Sequence, residues 1–318
     1  MRAAIVDAPG RPPHYGELDS PTPGRDEVLV EVVAAGLHPR VRSGADGTHY
    51  ASAGGYPRVP GVDGVGRLPD GGLVYFVAGD AEHGTMAEQA VLDPRRSVPL
   101  PDGLDPVVAA AAVNPAMSSW VALQQRADFQ AGRSVLVLGA TGTAGQLAVQ
   151  VARRFGAGRV VAAGRNAAAL AHLVTQGAAA VVPLGGDDHE TTAALAAAAS
   201  EVDVVLDYLW GAPAEVAMGA VLRARADRAH PLTWIQIGAT AGPDLRLPSP
   251  YLRSAALTLV GCGQGSVTAA GYLAAFPDLL DAFATGALSV HATAVPLAEV
   301  ARAWTDPPQP AERLVLVP

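Results

Sequence analysis

Three glycines and an arginine carry the most specific chemistry in this sequence. Gly139, Gly142 and Gly145 punctuate G-A-T-G-T-A-G. The turn directly follows the apolar run Ser134-Val135-Leu136-Val137-Leu138 and precedes residues 146–155, whose apolar side chains recur at helical spacing. A glycine turn between a strand and a helix gathers unpaired backbone N–H groups and the positive end of the helix dipole at one point, which suits a pyrophosphate. Side chains there would hold the phosphate away, and a Cβ at the last glycine would push the helix off the strand. The usual fingerprint is G-x-G-x-x-G, whereas the spacing here is G-x-x-G-x-x-G, with Ala140 and Thr141 ahead of Gly142. A plain structural turn also matches three glycines. The flanking strand, helix and second strand Val160-Val161-Ala162-Ala163 favour a dinucleotide unit, with Gly139, Thr141, Gly142, Thr143, Ala144 and Gly145 as the phosphate cradle.

The second strand ends in Gly164-Arg165-Asn166, about twenty residues past the turn. An acidic residue there would take the ribose 2′-hydroxyl of NAD, while an arginine accommodates the 2′-phosphate of NADP. NADPH is therefore the expected cofactor; a solvated arginine opening the next helix is the alternative. Ligands of open α/β sheets lie at the carboxyl ends of strands, which adds Tyr208, Ile237, Gly238, Ala239, Cys262 and Gly263 to the candidate cofactor contacts. Asp207 reads more simply as a structural strand-end residue. Cys262 is the one cysteine, so it reads as a small buried side chain with no partner to resolve a redox cycle.

These residues need a scaffold, and 318 residues with 50% hydrophobic composition suffice for about two domains. Strands are expected from residue 134 at 134–138, 159–163, 180–183, 202–207, 232–237 and 256–261. Helices are expected near 143–155, 166–176, 190–199 and 213–224. That alternation predicts an α/β fold with a parallel sheet covered on both faces. Residues 1–117 read as mostly β, with short strands broken by Gly and Pro, which suggests a barrel-like or partly open sheet. After Gly265 a helix near 268–286, a strand at 293–297, a short helix at 298–304 and a last strand at 313–317 are expected. A net charge of −8 argues against general nucleic-acid binding. No apolar run approaches the ~20 residues of a membrane span, and M-R-A-A-I-V reads as a strand start rather than a signal peptide. A soluble cytoplasmic protein acting on a small molecule is the expectation.

The order of motifs resembles the medium-chain dehydrogenase/reductase superfamily, in its zinc-free quinone oxidoreductase-like (zeta-crystallin-like) branch. The likeness runs nearly end to end through P-G-R-D-E-V-L-V-E-V, A-A-G-L-H-P-R-V-R-S-G, Y-P-R-V-P-G-V-D-G-V-G, G-T-M-A-E-Q-A-V-L, the glycine turn, V-D-V-V-L-D-Y-L-W-G and P-L-A-E-V-A-R-A-W. The resemblance implies a Rossmann-type NADP(H)-binding domain, residues 118–264, inserted in a GroES-like β-barrel catalytic domain formed by 1–117 and 265–318. It implies hydride transfer from NADPH to a quinone, an enone or a carbonyl, and a homodimer formed through the edge strand 256–261. A specialised biosynthetic enone or imine reductase, or a zeta-crystallin-like non-enzymatic NADPH- or RNA-binding protein, are the alternatives.

Zinc-dependent relatives carry Cys where this chain has Leu37-His38, and Gly-His-Glu where it has Gly61-Val62-Asp63. Catalytic zinc needs three protein ligands and Val62 cannot be one, so no metal is expected. Without metal, donors or a general acid must act on the carbonyl. His38 stands where many relatives have Asn within A-x-G-x-N-P. It is a candidate proton source, or else a packed loop histidine. Tyr50 lies in the loop that borders the substrate in the family, so it is the second catalytic candidate, against a surface loop with His49. Asn114, in N-P-A-M-S-S-W, is expected at the opening of a helix, either as a cap or as a cofactor contact.

Overall fold

A mixed sheet and a wholly parallel sheet organise the chain in the computed structural model, which describes residues 1–52, 55–79, 83–306 and 312–318. Two units result: Met1–Asn114 with Leu273–Pro318, and Pro115–Tyr272.

The first unit opens with the hairpin β1 (Arg2–Ile5) and β2 (His14–Glu17). It continues with β3 (Val28–Gly36), α1 (Pro39–Ala45), β4 (Asp63–Arg67), β5 (Leu73–Val77), β6 (Gln89–Leu92) and β7 (Ser97–Pro99). Pro39 opens α1, where its fixed φ and missing N–H are no handicap. The chain then enters α2 (Pro106–Val121), which departs from the mostly β expectation for 1–117. The alanine-rich run 109–112 is strongly helix-forming and fully buried, and it carries the helix past Pro115. Asn114 therefore lies in the helix interior rather than at a helix start, so it caps nothing.

A π-helical turn, Ala122–Arg126, follows α2. Pro106–Arg126 is long and apolar enough to cross a membrane, but 67% of its apolar window is buried within the protein, as for a core helix.

The second unit alternates β8 (Ser134–Leu138), α3 (Thr143–Arg154), β9 (Arg159–Gly164), α4 (Ala167–Thr175), β10 (Ala180–Pro183), α5 (Asp188–Ala199), β11 (Val204–Asp207), α6 (Gly211–Ala224), β12 (Leu232–Gln236), α7 (Ser249–Ser254) and β13 (Leu257–Gly261). All pairings are parallel, in the order β10-β9-β8-β11-β12-β13. Val135, Leu136, Val137 and Leu138 have no exposed surface. A strand covered on both faces needs a continuous apolar run, and that is how it reads in the sequence. The order reverses between β8 and β11, the place where such sheets open a crevice beyond the strand ends.

Returning through α8 (Ala269–Ala284), the chain adds β14 (His291–Pro296), α9 (Val300–Thr305) and β15 (Glu312–Val317). These complete the first sheet in the order β14-β15-β3-β4-β5-β7, with β6 also paired to β3. Val30, Phe76, Met86, Leu92, Leu297 and Leu316 centre its core.

Candidate active site

The glycine turn after β8 is built by three different constraints. Gly139 has φ +84°, a conformation that L side chains rarely adopt. Gly145 sits where α3 presses on the turn: a Cβ there would lie 2.2 Å from the Gly139 carbonyl oxygen. Gly142, by contrast, is exposed and a Cβ on it would meet nothing closer than 3.8 Å. It holds the N-cap position of α3 with no side-chain cap, and the first-turn N–H groups of Thr143, Ala144 and Gly145 have no side-chain acceptor among the described residues. An uncapped helix start beside an open glycine fits a pyrophosphate in both shape and charge. One contributor escaped the sequence reading. Gln146, 8% exposed, donates from Nε2 to the Thr141 carbonyl at 3.1 Å and pins the turn.

The end of β9 meets this turn, since a Cβ on Gly164 would lie 2.5 Å from the Thr141 side chain. Arg165 is exposed directly beyond it, next to Gly185. Asn166 is partly used otherwise: its Oδ1 accepts the Ala169 N–H at 3.0 Å and caps α4.

At the end of β11, Asp207 is wholly buried and organises the next turn. Its Oδ1 accepts N–H bonds from Leu209 (2.9 Å) and Trp210 (3.0 Å), and its Oδ2 accepts from Trp234 Nε1 at 3.0 Å. Trp210 is held at φ +55°, a strained conformation for a bulky residue. Burial raises the Asp207 carboxyl above the usual range, against the pull of these donors. The Ile237 and Gly238 N–H groups both go to the Asp207 carbonyl, at 2.8 and 3.1 Å, so those two backbone donors are already engaged.

Tyr208, Ser118 and Cys262 come together beside this turn. The Ser118 hydroxyl donates to the Pro115 carbonyl at 2.7 Å and accepts from the Tyr208 hydroxyl at 3.0 Å. Cys262 Sγ lies 3.9 Å from the Ser118 carbonyl. Burial raises the Tyr208 hydroxyl and pushes the Cys262 thiol up to about 11, so Cys262 stays protonated near neutral pH. Gly238 abuts the Tyr208 backbone, Gly263 is tied to Ser266 Oγ at 2.9 Å, and Ala239 is exposed. The expected cofactor residues of β8, β9, β11, β12 and β13 thus share the carboxyl edge of one sheet. Asn114 lies in the other unit, half-buried in α2.

The catalytic candidates belong to the first unit. His38 is only 3% exposed, and its Nε2 bonds Asp63 Oδ1 at 2.7 Å. The Tyr75 hydroxyl donates to Asp63 Oδ2 at 2.5 Å, and the Tyr75 ring stands edge-on to Phe276. Burial and the adjacent Asp63 hold the Tyr75 hydroxyl far above its ordinary range. Arg313, also buried, donates to the Leu37 carbonyl at 3.3 Å; burial pushes its guanidinium down to about 10, opposed by Asp63. His38 is thus a packed residue of a buried polar network, with Asp63 and Tyr75 as partners that the sequence did not join to it. Tyr50 is 72% exposed and stacks on His49 with ring centroids 4.2 Å apart; it takes no part in the network. Among the described residues no group of three His, Cys, Asp or Glu side chains could hold a metal ion.

No family model matches the chain. A probable NADPH-dependent quinone reductase of Emericella nidulans is 30% identical over 361 aligned positions that cover 100% of both chains. The quinone oxidoreductase of Rattus norvegicus is 34% identical over 147 residues, 43% of this chain and 44% of its own. Among solved structures, the quinone oxidoreductase from Thermus thermophilus superposes with a TM-score of 0.77 at 26% identity, covering 100% of each chain. Matched from end to end by one reductase in sequence and by another in fold, the chain belongs to the quinone oxidoreductase-like branch of the medium-chain dehydrogenase/reductase superfamily.

Proposed function

We propose that this chain is an NADPH-dependent, zinc-independent reductase acting on quinones, enones or simple carbonyls. The observation that carries the reading is the uncapped start of α3 beside the open Gly142, with Arg165 at the end of β9. When bound, NADPH supplies the hydride. The N–H groups of 143–145 hold its pyrophosphate, Arg165 pairs with its 2′-phosphate, and Tyr208, Ala239 and Cys262 line its reactive half. The proton comes from His38, Tyr50 or solvent. Residues 118–264 act as the cofactor domain, and residues 1–117 with 265–318 as the catalytic domain. Copies pair through β13, whose outer side has no strand partner among the described residues. The protein works in the cytoplasm.

The test is NADPH consumption by chelator-treated protein across a panel of quinones, enones and cyclic imines, together with thermal unfolding. At NADPH about a hundredfold above its Kd, stability should rise by about 2.7 kcal/mol. Turnover should persist with chelator for at least one acceptor. An unchanged thermal midpoint in saturating NADPH would overturn the reading. Turnover confined to enones or imines would narrow it to a biosynthetic reductase.

A further inference from the structure

Three buried titratable side chains in the first unit form one chain of hydrogen bonds, from His38 to Asp63 to Tyr75, and family membership alone assigns them no role. We infer that Asp63 is a positioning residue for the reduction, holding His38 so that Nδ1 is the atom that delivers the proton to substrate oxygen. The inference rests on the reductase reading above.

The geometry distinguishes the two ring nitrogens. Nε2 is committed to Asp63 at 2.7 Å, and a carboxylate can only accept, so the Nε2 hydrogen stays in that bond. Nδ1 is buried and has no hydrogen-bond partner among the described residues, an uncommon state for a polar atom. The second Asp63 oxygen is held by the Tyr75 hydroxyl, and Thr85 Oγ1 donates to the Asp63 backbone carbonyl at 2.9 Å. The carboxylate is thus fixed at each oxygen and through its backbone, and it fixes the imidazole in turn.

Charges converge on this carboxylate from several elements. Asp63 lies on β4, Tyr75 on β5 and Arg313 on β15, with Arg42 of α1 near Arg313. Asp63 brings negative charge against the imidazole, and the two arginines bring positive charge to its surroundings. When a carbonyl or enone has accepted hydride from the reduced nicotinamide, its oxygen carries the displaced electron pair. That oxygen takes the Nδ1 proton: the N–H bond breaks, an O–H bond forms, and imidazolium becomes neutral imidazole with Nε2–H still on Asp63. Solvent restores the proton.

The test compares wild type, Asp63→Asn and Tyr75→Phe by kcat against pH in saturating NADPH and by NADPH affinity. Side-chain nitrogen NMR of His38 in the unliganded protein, assigned with His38→Gln, needs no active enzyme. Expected are an imidazole that keeps a hydrogen on Nε2 throughout and carries a second on Nδ1 only below the alkaline limb, a loss of about a hundredfold in kcat for Asp63→Asn, and an alkaline limb displaced to lower pH in that variant. Tyr75→Phe should lose about three- to tenfold, and NADPH affinity should change by less than about twofold in both. A neutral imidazole whose single hydrogen lies on Nδ1, or an alkaline limb that stays put while NADPH binds normally, would overturn the proposal. Should Asp63→Asn fail to fold, Tyr75→Phe and the wild-type spectrum decide alone. Wild type that binds no NADPH would instead overturn the underlying reductase reading.

Discussion

Replacing Gly145 with alanine should destabilise the second unit by about 3 kcal/mol and sharply weaken NADPH binding. A Cβ at this position would lie 2.2 Å from the Gly139 carbonyl oxygen and 2.6 Å from Ala140 Cα, and both are backbone atoms that no rotamer change can move aside. Overpacking a tight site costs about 1–3 kcal/mol, and a clash with fixed backbone belongs at the upper end. α3 must then move off β8, which displaces the N–H groups offered to the pyrophosphate. Thermal unfolding should show a midpoint lower by about 6–12 °C for a unit of this size. Gly142→Ala is the contrasting variant. Its Cβ meets no protein atom within 3.8 Å, so stability should barely change while the phosphate approach is obstructed. An unperturbed Gly145→Ala protein would contradict the described packing.

Asp207→Ala should be about as damaging to stability, for a different reason. It removes the acceptor of three bonds at once, from Leu209 N–H, Trp210 N–H and Trp234 Nε1. Each stranded buried donor costs about 1–3 kcal/mol, partly offset because a buried carboxyl is no longer desolvated. A net loss of about 3 kcal/mol is expected from denaturant unfolding. Trp210, held at φ +55° by one of these bonds, should relax. Because Tyr208 and Leu209 precede it directly, affinity for NADPH should fall with stability. A variant with wild-type stability would show that the strained turn has other supports.

Much of this was legible in the sequence, for physical reasons. The inner strands β8, β9 and β11 of the second unit are buried on both faces and read as nearly unbroken apolar runs, and the expected limits of all six strands fall within two residues of those observed. The glycine turn was legible because sterics allow few other residues there. α2 was not. Asn114-Pro115 looks like a helix start, where proline is normally tolerated, yet the buried alanine run carries the helix through it. The short strands β2 and β6 were missed, since four-residue strands with mixed polarity carry little periodicity. His38 was visible as a candidate, but its bonds were not. Periodicity places a residue on an element without saying which side chain, 25 positions further on, will meet it. Gln146 carried a faint signal, a polar residue in the first turn of an otherwise apolar helix face.

The central claim is that the uncapped helix start and Arg165 bind NADPH. Fluorescence titration of wild type and Arg165→Ala with NADPH and with NADH tests it most directly. Wild type should bind NADPH at least about tenfold more tightly than NADH. Arg165→Ala should lose about ten- to a hundredfold in NADPH affinity with NADH unchanged, the range expected for a charge-assisted phosphate contact. Wild type that binds neither dinucleotide, or a variant that keeps the full NADPH preference, would contradict it.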